Sequence, residues 1–322
     1  MNPLLQIRDL QTWFPIHRGV ISRTVGNVRA VDGVSLDIYP NETLGLVGES
    51  GCGKSTLART VALLEKPRAG TMHFSGQVLS QAQPGIRRKI QMIFQDPYSS
   101  LNPRMTVLEI LTEGLVQHRR IKSSGRVTAA REILADVGMD PDVLYRYPHE
   151  FSGGQRQRIS IGRALSLKPE LLICDEAVSA LDVSVQAQVI NLLLSIRRKH
   201  GLSYLFISHD LGVVRHMADR VAVMYLGQIV EEGPADKIMD APAHPYTQAL
   251  ISAIPRIGAE KGKRIVLQGD VPSPAAPPPG CRFHPRCPYA QDICRREQPE
   301  LKGYEGGDSD RKAACFFAGR VG

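Results

Sequence analysis

One eight-residue segment constrains this chain more than any other: Gly48-Glu49-Ser50-Gly51-Cys52-Gly53-Lys54-Ser55. It matches G-x-x-x-x-G-K-[ST] in full, follows an apolar run at residues 43–47, and precedes a helical pattern at residues 55–64. Glycines let such a loop turn its backbone N–H groups towards phosphate oxygens at the positive end of the following helix. A glycine-rich turn with a chance lysine would lack this context. The segment therefore predicts a nucleotide phosphate site.

The residue types within this segment assign the expected roles. Lys54 is predicted to bridge the β- and γ-phosphates, and Ser55 to hold Mg²⁺. The predicted nucleotide contacts are Gly48, Ser50, Gly51, Cys52, Gly53, Lys54, Ser55 and Thr56. Cys52 lies beside a helix N-terminus, an environment that can make a thiol more reactive.

A second segment supplies the carboxylates that such a metal site needs. The apolar run at residues 171–174 predicts a buried strand, and Asp175 and Glu176 follow it directly. Because the carboxyl ends of parallel strands line the ligand crevice, we expect Asp175 to bind Mg²⁺, directly or through water. Glu176 is then the candidate general base that polarises the attacking water. Alone, the pair would indicate an ordinary solvated strand end.

Short apolar runs separated by helical patterns indicate an α/β fold with a largely parallel sheet. These runs lie at residues 43–47, 90–94, 171–174, 204–207 and 221–225, and alternating segments at 4–14 and 34–38 predict two further strands. Between about residues 96 and 165 the spacing becomes helical, which predicts a helical insertion.

Five further segments, in order along the chain, resemble motifs of the ATP-binding subunits of ABC transporters. Phe151-Ser152-Gly153-Gly154-Gln155 resembles the family signature LSGGQ, with Phe151 in place of leucine. The other matches are Gln95 for the Q-loop glutamine, Ser179–Asp182 for the D-loop, His209 for the switch histidine, and Phe14 or Trp13 for the aromatic that stacks on adenine. The resemblance covers roughly residues 4–250.

The resemblance implies a P-loop NTPase ABC cassette at residues 1–255, with a parallel-sheet core, an N-terminal antiparallel β subdomain and a helical subdomain at about 96–165. Two such domains sandwich two ATP molecules, each between the phosphate loop of one domain and the signature of the other. The implied catalytic residues are Glu176, His209 and Gln95, with Gln95 also beside Mg²⁺. The implied nucleotide contacts further include Phe14, Ser152, Gly153, Gly154, Gln155 and Asp182. Ala177 replaces the proline usual after the glutamate.

Beyond residue 255 the composition changes. Residues 271–280 are rich in proline and predict a stiff linker to a separate small module at 256–322. His244-Pro245-Tyr246-Thr247 and the segment at residues 278–287 resemble the C-terminal extension of oligopeptide and dipeptide importer ATPases. This resemblance implies two transmembrane permease subunits, a second ATPase (identical or a paralogue), and an extracytoplasmic solute-binding protein as partners. Peptides are the implied cargo, with nickel, glutathione or another small solute as alternatives.

Four of the six cysteines, Cys281, Cys287, Cys294 and Cys315, fall in this region. Disulfides are disfavoured in a reducing cytoplasm, and the usual C-x₂₋₄-C zinc spacing is missing, although zinc remains an alternative. Four thiolates with irregular gaps also fit a 4Fe–4S cluster, which the resemblance favours. Four unliganded cysteines are the remaining interpretation.

Charge and hydropathy limit the location and the class of partner. The chain has a net charge of +8 but carries no basic run with interleaved aromatics, so nucleic acid is disfavoured. It has no 18-residue apolar stretch and no signal-peptide pattern, which predicts a cytoplasmic chain. The resemblance to importer ATPases implies a peripheral position on the cytoplasmic face of the inner membrane. A soluble ABC protein acting on ribosomes or DNA usually has two cassettes or a long coiled coil, and this chain has neither.

Overall fold

The computed structural model describes residues 2–18, 23–80, 83, 85–254 and 265–320. The chain divides into two compact units, one made of Met1–Ser80 with Ser208–Gly322 and the other of Gln81–Ile207. Within the described ranges, no helix has both the length and the apolar character needed to cross a bilayer.

The first unit contains a four-stranded antiparallel sheet with the strand order β2-β1-β4-β5. Its strands are β1 (Leu5–Arg18), β2 (Arg23–Ile38), β4 (Ala69–Phe74) and β5 (Gln77–Val78). Val34, Leu36 and Ile38 alternate with more exposed residues and are at most 2% exposed, as the sequence pattern predicts. The sheet confirms the antiparallel β subdomain. The short strands β4 and β5 were not predicted, because too few of their residues alternate.

A second set of strands in this unit follows the order β11-β10-β9-β3. The strands are β3 (Thr43–Val47), β9 (Arg220–Tyr225), β10 (Gln228–Pro234) and β11 (Lys312–Ala313). β3 and β9 are parallel, as predicted, whereas β9–β10 and β10–β11 are antiparallel. The sequence did not predict β10, because Glu231 and Glu232 interrupt its apolar run. Both glutamates are nevertheless buried.

Five helices of the first unit connect or flank these strands. They are α1 (Lys54–Val61), α8 (Leu211–Met217), α9 (Ala235–Asp240), α10 (Pro245–Ser252) and α11 (Asp292–Arg296). α1 follows the glycine-rich loop, as the sequence pattern predicts. His244 is the N-cap of α10, because its ring Nδ1 accepts a hydrogen bond from the Tyr246 N–H at 3.1 Å.

The second unit contains three parallel strands in the order β8-β7-β6. These are β6 (Ile90–Ile93), β7 (Leu171–Asp175) and β8 (Ser203–Ile207), and every residue of β7 and β8 is buried. Full burial of both faces explains why these strands are continuous apolar runs in the sequence. The predicted α/β character is confirmed by these strands and the helices between them.

The helices of the second unit lie largely between β6 and β7. They are α2 (Ile86–Lys89), α3 (Pro97–Ser100), α4 (Val107–Gln117), α5 (Arg126–Asp136), α6 (Gly153–Leu165) and α7 (Val183–His200). Short 3₁₀ turns occupy Ser123–Gly125, Pro141–Tyr145 and Pro148–Glu150. Thr106 begins α4 with a capping box to Glu109, which sets the start of that helix.

Residues 265–320 pack into the first unit, so the expectation of a separate Cys-rich module is not supported. Phe283 is 1% exposed, and its ring lies 5.3 Å from that of Tyr225 and 5.5 Å from that of Tyr246. A buried ion pair between Arg282 and Asp32 adds a polar connection to the antiparallel sheet. The sequence did not predict this packing, because the contacts of the proline-rich segment do not follow a periodic pattern. The boundary proposed at residue 255 falls in 255–264, outside the described residues.

Candidate nucleotide site

The glycines of the phosphate loop, residues 48–55, adopt conformations that other residues avoid. Gly48 has a φ of +154° and Gly53 a φ of +111°. A Cβ at Gly48 would lie 2.1 Å from the carbonyl oxygen of Met224, and one at Gly53 would lie 2.0 Å from that of Ala30. Only glycine fits where two backbones approach this closely. The loop is therefore held in a tight turn between β3 and α1.

Lys54 lies inside this turn and is only 4% exposed. Its ammonium donates to the carbonyl oxygens of Gly48 at 2.7 Å and Glu49 at 2.9 Å. These contacts keep a buried charge hydrogen-bonded, which burial in a protein interior requires. Gly53 provides no side-chain cap for α1, so the helix start is suited to an anionic ligand. Of the other predicted contacts, Ser50 and Gly51 are exposed, and Ser55 and Thr56 are half-buried.

Cys52 differs from the reactive thiol that its position suggests. It is 4% exposed, and burial raises the pKa of its thiol, while the Lys54 charge opposes part of that rise. A thiol that stays protonated is a weak nucleophile. The sequence showed the nearby helix start but not the burial, which here has the larger effect.

In the second unit, the structure joins the Q-loop glutamine to the proposed general base. The Gln95 side-chain amide donates to Glu176 Oε2 at 3.0 Å. Glu176 follows β7 with a φ of +48°, an unusual backbone angle for a side chain of this kind, and its N–H donates to the carbonyl of Ile207 at 3.0 Å. The Ser179 hydroxyl donates to the Glu176 carbonyl at 2.9 Å. These bonds fix the turn that presents the carboxylate.

The remaining polar motif residues lie at the ends of elements. Asp175 is the last residue of β7 and is 5% exposed. Asp182 is exposed and is the N-cap residue of α7. His209 is exposed in the first unit, between β8 and α8, where the N-cap Asp210 accepts hydrogen bonds from Gly212 N and Val213 N.

The signature segment forms the start of α6. Ser152 is its N-cap and makes a capping box, with Gln155 N donating to the serine hydroxyl at 3.4 Å and Ser152 N donating to Gln155 Oε1 at 3.0 Å. A Cβ at Gly154 would lie 2.4 Å from a methyl of Val185 on α7. Glycine at this position therefore lets two helices approach closely. The exposed Ser152 hydroxyl and helix start are suited to an anion.

The two candidates for the adenine-stacking aromatic have different surroundings. Two cations lie over the Trp13 ring: the guanidinium of Arg68 is 3.8 Å and that of Arg29 is 4.7 Å from its centroid. Its Nε1 also donates to Asp32 Oδ1 at 3.1 Å. Phe14, by contrast, is 36% exposed. These contacts favour Phe14 over Trp13.

The four C-terminal cysteines line one cavity, the cysteine cavity, together with apolar residues that include Phe283 and Phe317. All four are free thiols, and burial raises the pKa of Cys281 to about 12 and that of Cys315 to about 11. Among the described residues, no three His, Cys, Asp or Glu side chains are grouped closely enough to hold a metal ion. The four cysteines are among the side chains to which this applies.

Sequence analysis missed two residues that contact the phosphate loop. The Arg286 guanidinium donates to both carboxylate oxygens of Glu49, at 2.7 and 3.1 Å. The Tyr246 hydroxyl accepts from the Glu49 N–H at 2.8 Å. Nearly two hundred residues or more separate these partners along the chain, and no local pattern carries such a contact.

Two family models match the chain. The model of the ABC transporter family matches residues 31–179, and the model of the oligopeptide/dipeptide transporter C-terminal region matches residues 230–294. The second match includes three of the four clustered cysteines.

Curated relatives match along almost the whole length. The oligopeptide transport ATP-binding protein AppF of Bacillus subtilis is 53% identical over 307 residues, which is 93% of either chain. The dipeptide transport ATP-binding protein DppF of Escherichia coli is 49% identical over 320 residues, 98% of this chain and 94% of DppF. OppF of Escherichia coli, an oligopeptide transport ATP-binding protein, is 50% identical over 310 residues, 93% of either chain.

Solved structures agree on the fold. The ATP-binding cassette MJ0796, solved as a dimer in a post-hydrolysis state with ADP and Pi, matches with a TM-score of 0.63 at 25% identity. The match covers 72% of this chain and 98% of that one. CbiO1 from Clostridium perfringens, part of the ABC transporter complex cbiONQ, also gives a TM-score of 0.63, at 24% identity over 74% of this chain and 91% of its own.

Proposed function

This chain belongs to the family of ATP-binding subunits of oligopeptide and dipeptide ABC transporters, and we propose that it powers the import of short peptides through a membrane permease. One observation carries the proposal: the likeness to peptide-transport ATP-binding proteins continues through the C-terminal extension, up to 98% of the chain. A similarity limited to the ATP-binding cassette would not have indicated the class of transported substrate. Nickel, glutathione and other small solutes are the alternative cargoes.

The proposed hydrolysis uses two copies of the site, with each ATP between the phosphate loop of one cassette and the signature of another. Lys54 and the loop N–H groups bind the β- and γ-phosphates, while the start of α6 at Ser152 meets the γ-phosphate from the other cassette. Such a composite site explains why an isolated subunit is expected to bind ATP but to hydrolyse it slowly. The full set of proposed nucleotide contacts is Phe14, Gly48, Ser50, Gly51, Cys52, Gly53, Lys54, Ser55, Thr56, Ser152, Gly153, Gly154, Gln155 and Asp182.

Glu176 is the proposed general base. Its hydrogen bond from Gln95 and the constrained turn at φ +48° support a role in which the carboxylate is held in one place before water arrives. His209 is proposed to contact the γ-phosphate. Ser55, Gln95 and Asp175 would hold Mg²⁺, which neutralises phosphate charge when it is bound.

The proposed partners are two transmembrane permease subunits, a second ATP-binding subunit and, indirectly, an extracytoplasmic solute-binding protein. The proposed location is the cytoplasmic face of the inner membrane. AppF, DppF and OppF are peptide transport ATP-binding proteins, which supports partners in a membrane transporter. The γ-phosphate would act as the ligand that favours the closed pair of cassettes.

We further propose that the cysteine cavity holds a 4Fe–4S cluster with a structural role, ligated by Cys281, Cys287, Cys294 and Cys315. Four free cysteines around one apolar cavity support this assignment, because iron–sulfur clusters are held by cysteine side chains. Zinc held by the same four thiolates is the alternative.

The cluster assignment is tested by the iron and sulfide content of anaerobically purified protein. We expect iron, acid-labile sulfide and a brown chromophore, all lost in Cys287→Ser. Cys52→Ser is the matched control, because it removes a buried cysteine outside the cavity and should keep the iron. Stoichiometric zinc in place of iron would overturn the cluster and leave the transport assignment intact.

The transport assignment is tested in proteoliposomes that contain the chain, its permease and its partner ATPase. We expect the membrane partners to stimulate ATP hydrolysis strongly and labelled dipeptide to accumulate only with ATP, solute-binding protein and all subunits present. Accumulation of nickel or glutathione instead of peptide would overturn the cargo. Full ATPase activity of the chain alone, without association with the permease, would point to a soluble ABC protein.

A further inference from the structure

The segment between the first two clustered cysteines reaches the phosphate loop directly. Arg286, adjacent to Cys287, presents both terminal nitrogens to the carboxylate of Glu49, the second residue of that loop. The Arg286 side chain is 7% exposed, and that of Glu49 is 27% exposed. A two-point, largely buried pair of this kind fixes geometry far better than a solvated single contact.

Glu49 is held through its backbone as well as its side chain. Its N–H donates to the Tyr246 hydroxyl, and its carbonyl oxygen accepts from Lys54 Nζ. The residue thus connects the phosphate-binding lysine to a C-terminal arginine and a tyrosine of α10. Any shift of Glu49 moves the carbonyl that the Lys54 ammonium contacts.

Arg286 lies beside a packed group of aromatic rings. Its guanidinium lies 5.9 Å from the ring centroid of Tyr225, and one terminal nitrogen is 3.5 Å from the Tyr225 hydroxyl. Tyr225 packs against Tyr246 with the centroids 4.7 Å apart, and both rings contact Phe283. Offset and edge-on aromatic pairs favour one arrangement. The guanidinium is therefore presented to Glu49 by a packed aromatic cluster.

Charge gives the pair a second effect. Glu49 places a carboxylate on a loop whose ligand carries several negative charges, and such a charge repels phosphates. The Arg286 cation neutralises this charge, and the hydrogen bond to Glu49 in turn raises the pKa of Arg286. We propose that Arg286 is a positioning residue for nucleotide binding, which holds Glu49 in place and cancels its charge so that the phosphate loop is preorganised for ATP. This inference rests on the nucleotide site proposed above.

The test compares equilibrium binding of a fluorescent ATP analogue and of unlabelled ATP, ADP and adenosine as competitors. We expect Arg286→Gln to weaken ATP binding about tenfold, or about 1.4 kcal/mol, because the Glu49 carboxylate without its arginine partner repels phosphates. Adenosine binding should weaken far less. The double variant Arg286→Gln/Glu49→Gln should recover part of the loss, which a merely structural role would not produce. Arg320→Gln is the matched control, since Arg320 pairs with Glu305 at the surface of the same C-terminal segment.

Each outcome decides a different point. ATP affinity of a folded Arg286→Gln variant within twofold of the unmodified chain overturns the positioning role alone. No binding by the unmodified chain overturns the nucleotide site itself, and the inference with it. If Arg286→Gln does not fold, Arg286→Lys replaces it. We expect at least threefold weaker ATP binding, because lysine keeps the charge but cannot make the two-point contact of the guanidinium. Unchanged ATP affinity overturns the proposal.

Discussion

Glu176 combines a left-handed backbone angle with a fixed carboxylate. Non-glycine residues at positive φ require support from their surroundings, and here the Ile207 carbonyl, the Ser179 hydroxyl and the Gln95 amide provide it. The sequence predicts functional roles for Glu176 and Gln95, because both belong to recognisable motifs. It did not reveal that they contact each other, since 81 residues separate them.

Replacing Glu176 with glutamine tests its role as general base. Glu176→Gln keeps the size and hydrogen-bonding capacity of the side chain but removes the basic oxygen, so we expect ATP turnover to fall at least 100-fold. ATP-dependent dimerisation, measured by light scattering after size exclusion, should persist. Glu170→Gln, which alters an exposed ion pair with Lys89 before β7, is the control and should keep turnover. Turnover retained by Glu176→Gln contradicts the assignment.

At the scale of elements, two of the proposed phosphate contacts are helix starts, those of α1 and α6. The sequence predicted α1 and its loop from the glycine pattern, and the N-cap role of Ser152 belongs to the signature itself. It could not show why Gly154 must be glycine, because the reason is the close approach of Val185 on α7. It also could not show the capping role of His244, which depends on burial of the ring.

Gly154→Ala tests the close helix contact. The added methyl would lie 2.4 Å from Val185, so we expect the free energy of unfolding to fall by about 1–3 kcal/mol. Gly153→Ala is the matched control, because its Cβ would meet Leu181 at an ordinary 3.5 Å. Chemical denaturation of both variants measures the difference, and equal stability would contradict the contact.

His244 gives α10 a pH-dependent stability. Burial lowers the pKa of His244 to about 3, and the neutral ring must accept the Tyr246 N–H. Because the unfolded chain binds the proton more tightly, this contribution is present above pH 6.5 and is lost as the pH falls towards 3, at about 1.4 kcal/mol per unit.

His244→Asn keeps an N-cap acceptor without titrating. Between pH 7 and pH 5.5, the unmodified chain should lose about 1 kcal/mol more unfolding free energy than this variant. Urea titrations at the two pH values measure both losses, with the other histidines contributing equally to each. Identical losses would show that His244 is already accessible to protons.

At the scale of the whole molecule, the first unit joins the two ends of the chain. Residues 1–80 and 208–322 share one compact unit, whereas the sequence suggested a separate C-terminal module. The motifs of the cassette are local and were therefore recognisable. The packing of residues 281–287 depends on Asp32, Glu49 and Tyr225, which lie far away in sequence, so no pattern could indicate it.

Arg282→Ala tests this connection. The variant leaves Asp32, which is 8% exposed, without its buried ion-pair partner, and we expect a loss of about 3 kcal/mol in unfolding free energy. Adding Asp32→Asn should restore part of the stability, because it removes a buried carboxylate whose remaining ion-pair partner, Arg29, lies 3.9 Å away. Arg320→Ala breaks a surface pair and should change stability by less than about 1 kcal/mol. A loss no larger for Arg282→Ala than for Arg320→Ala would contradict the connection.

The pairing of β11 with β10 has a consequence for shortened versions of the chain. Lys312 and Ala313 pair with Glu232 and Glu231, and Ala314 N–H donates to the Val230 carbonyl. Removing the last twenty residues would leave this side of β10 as an unpaired sheet edge, whose backbone groups can hydrogen-bond to a strand of a second chain. A truncation made to remove Cys315 would thus also remove protection against aggregation. Low solubility of such a fragment would reflect its exposed strand instead of a missing cofactor.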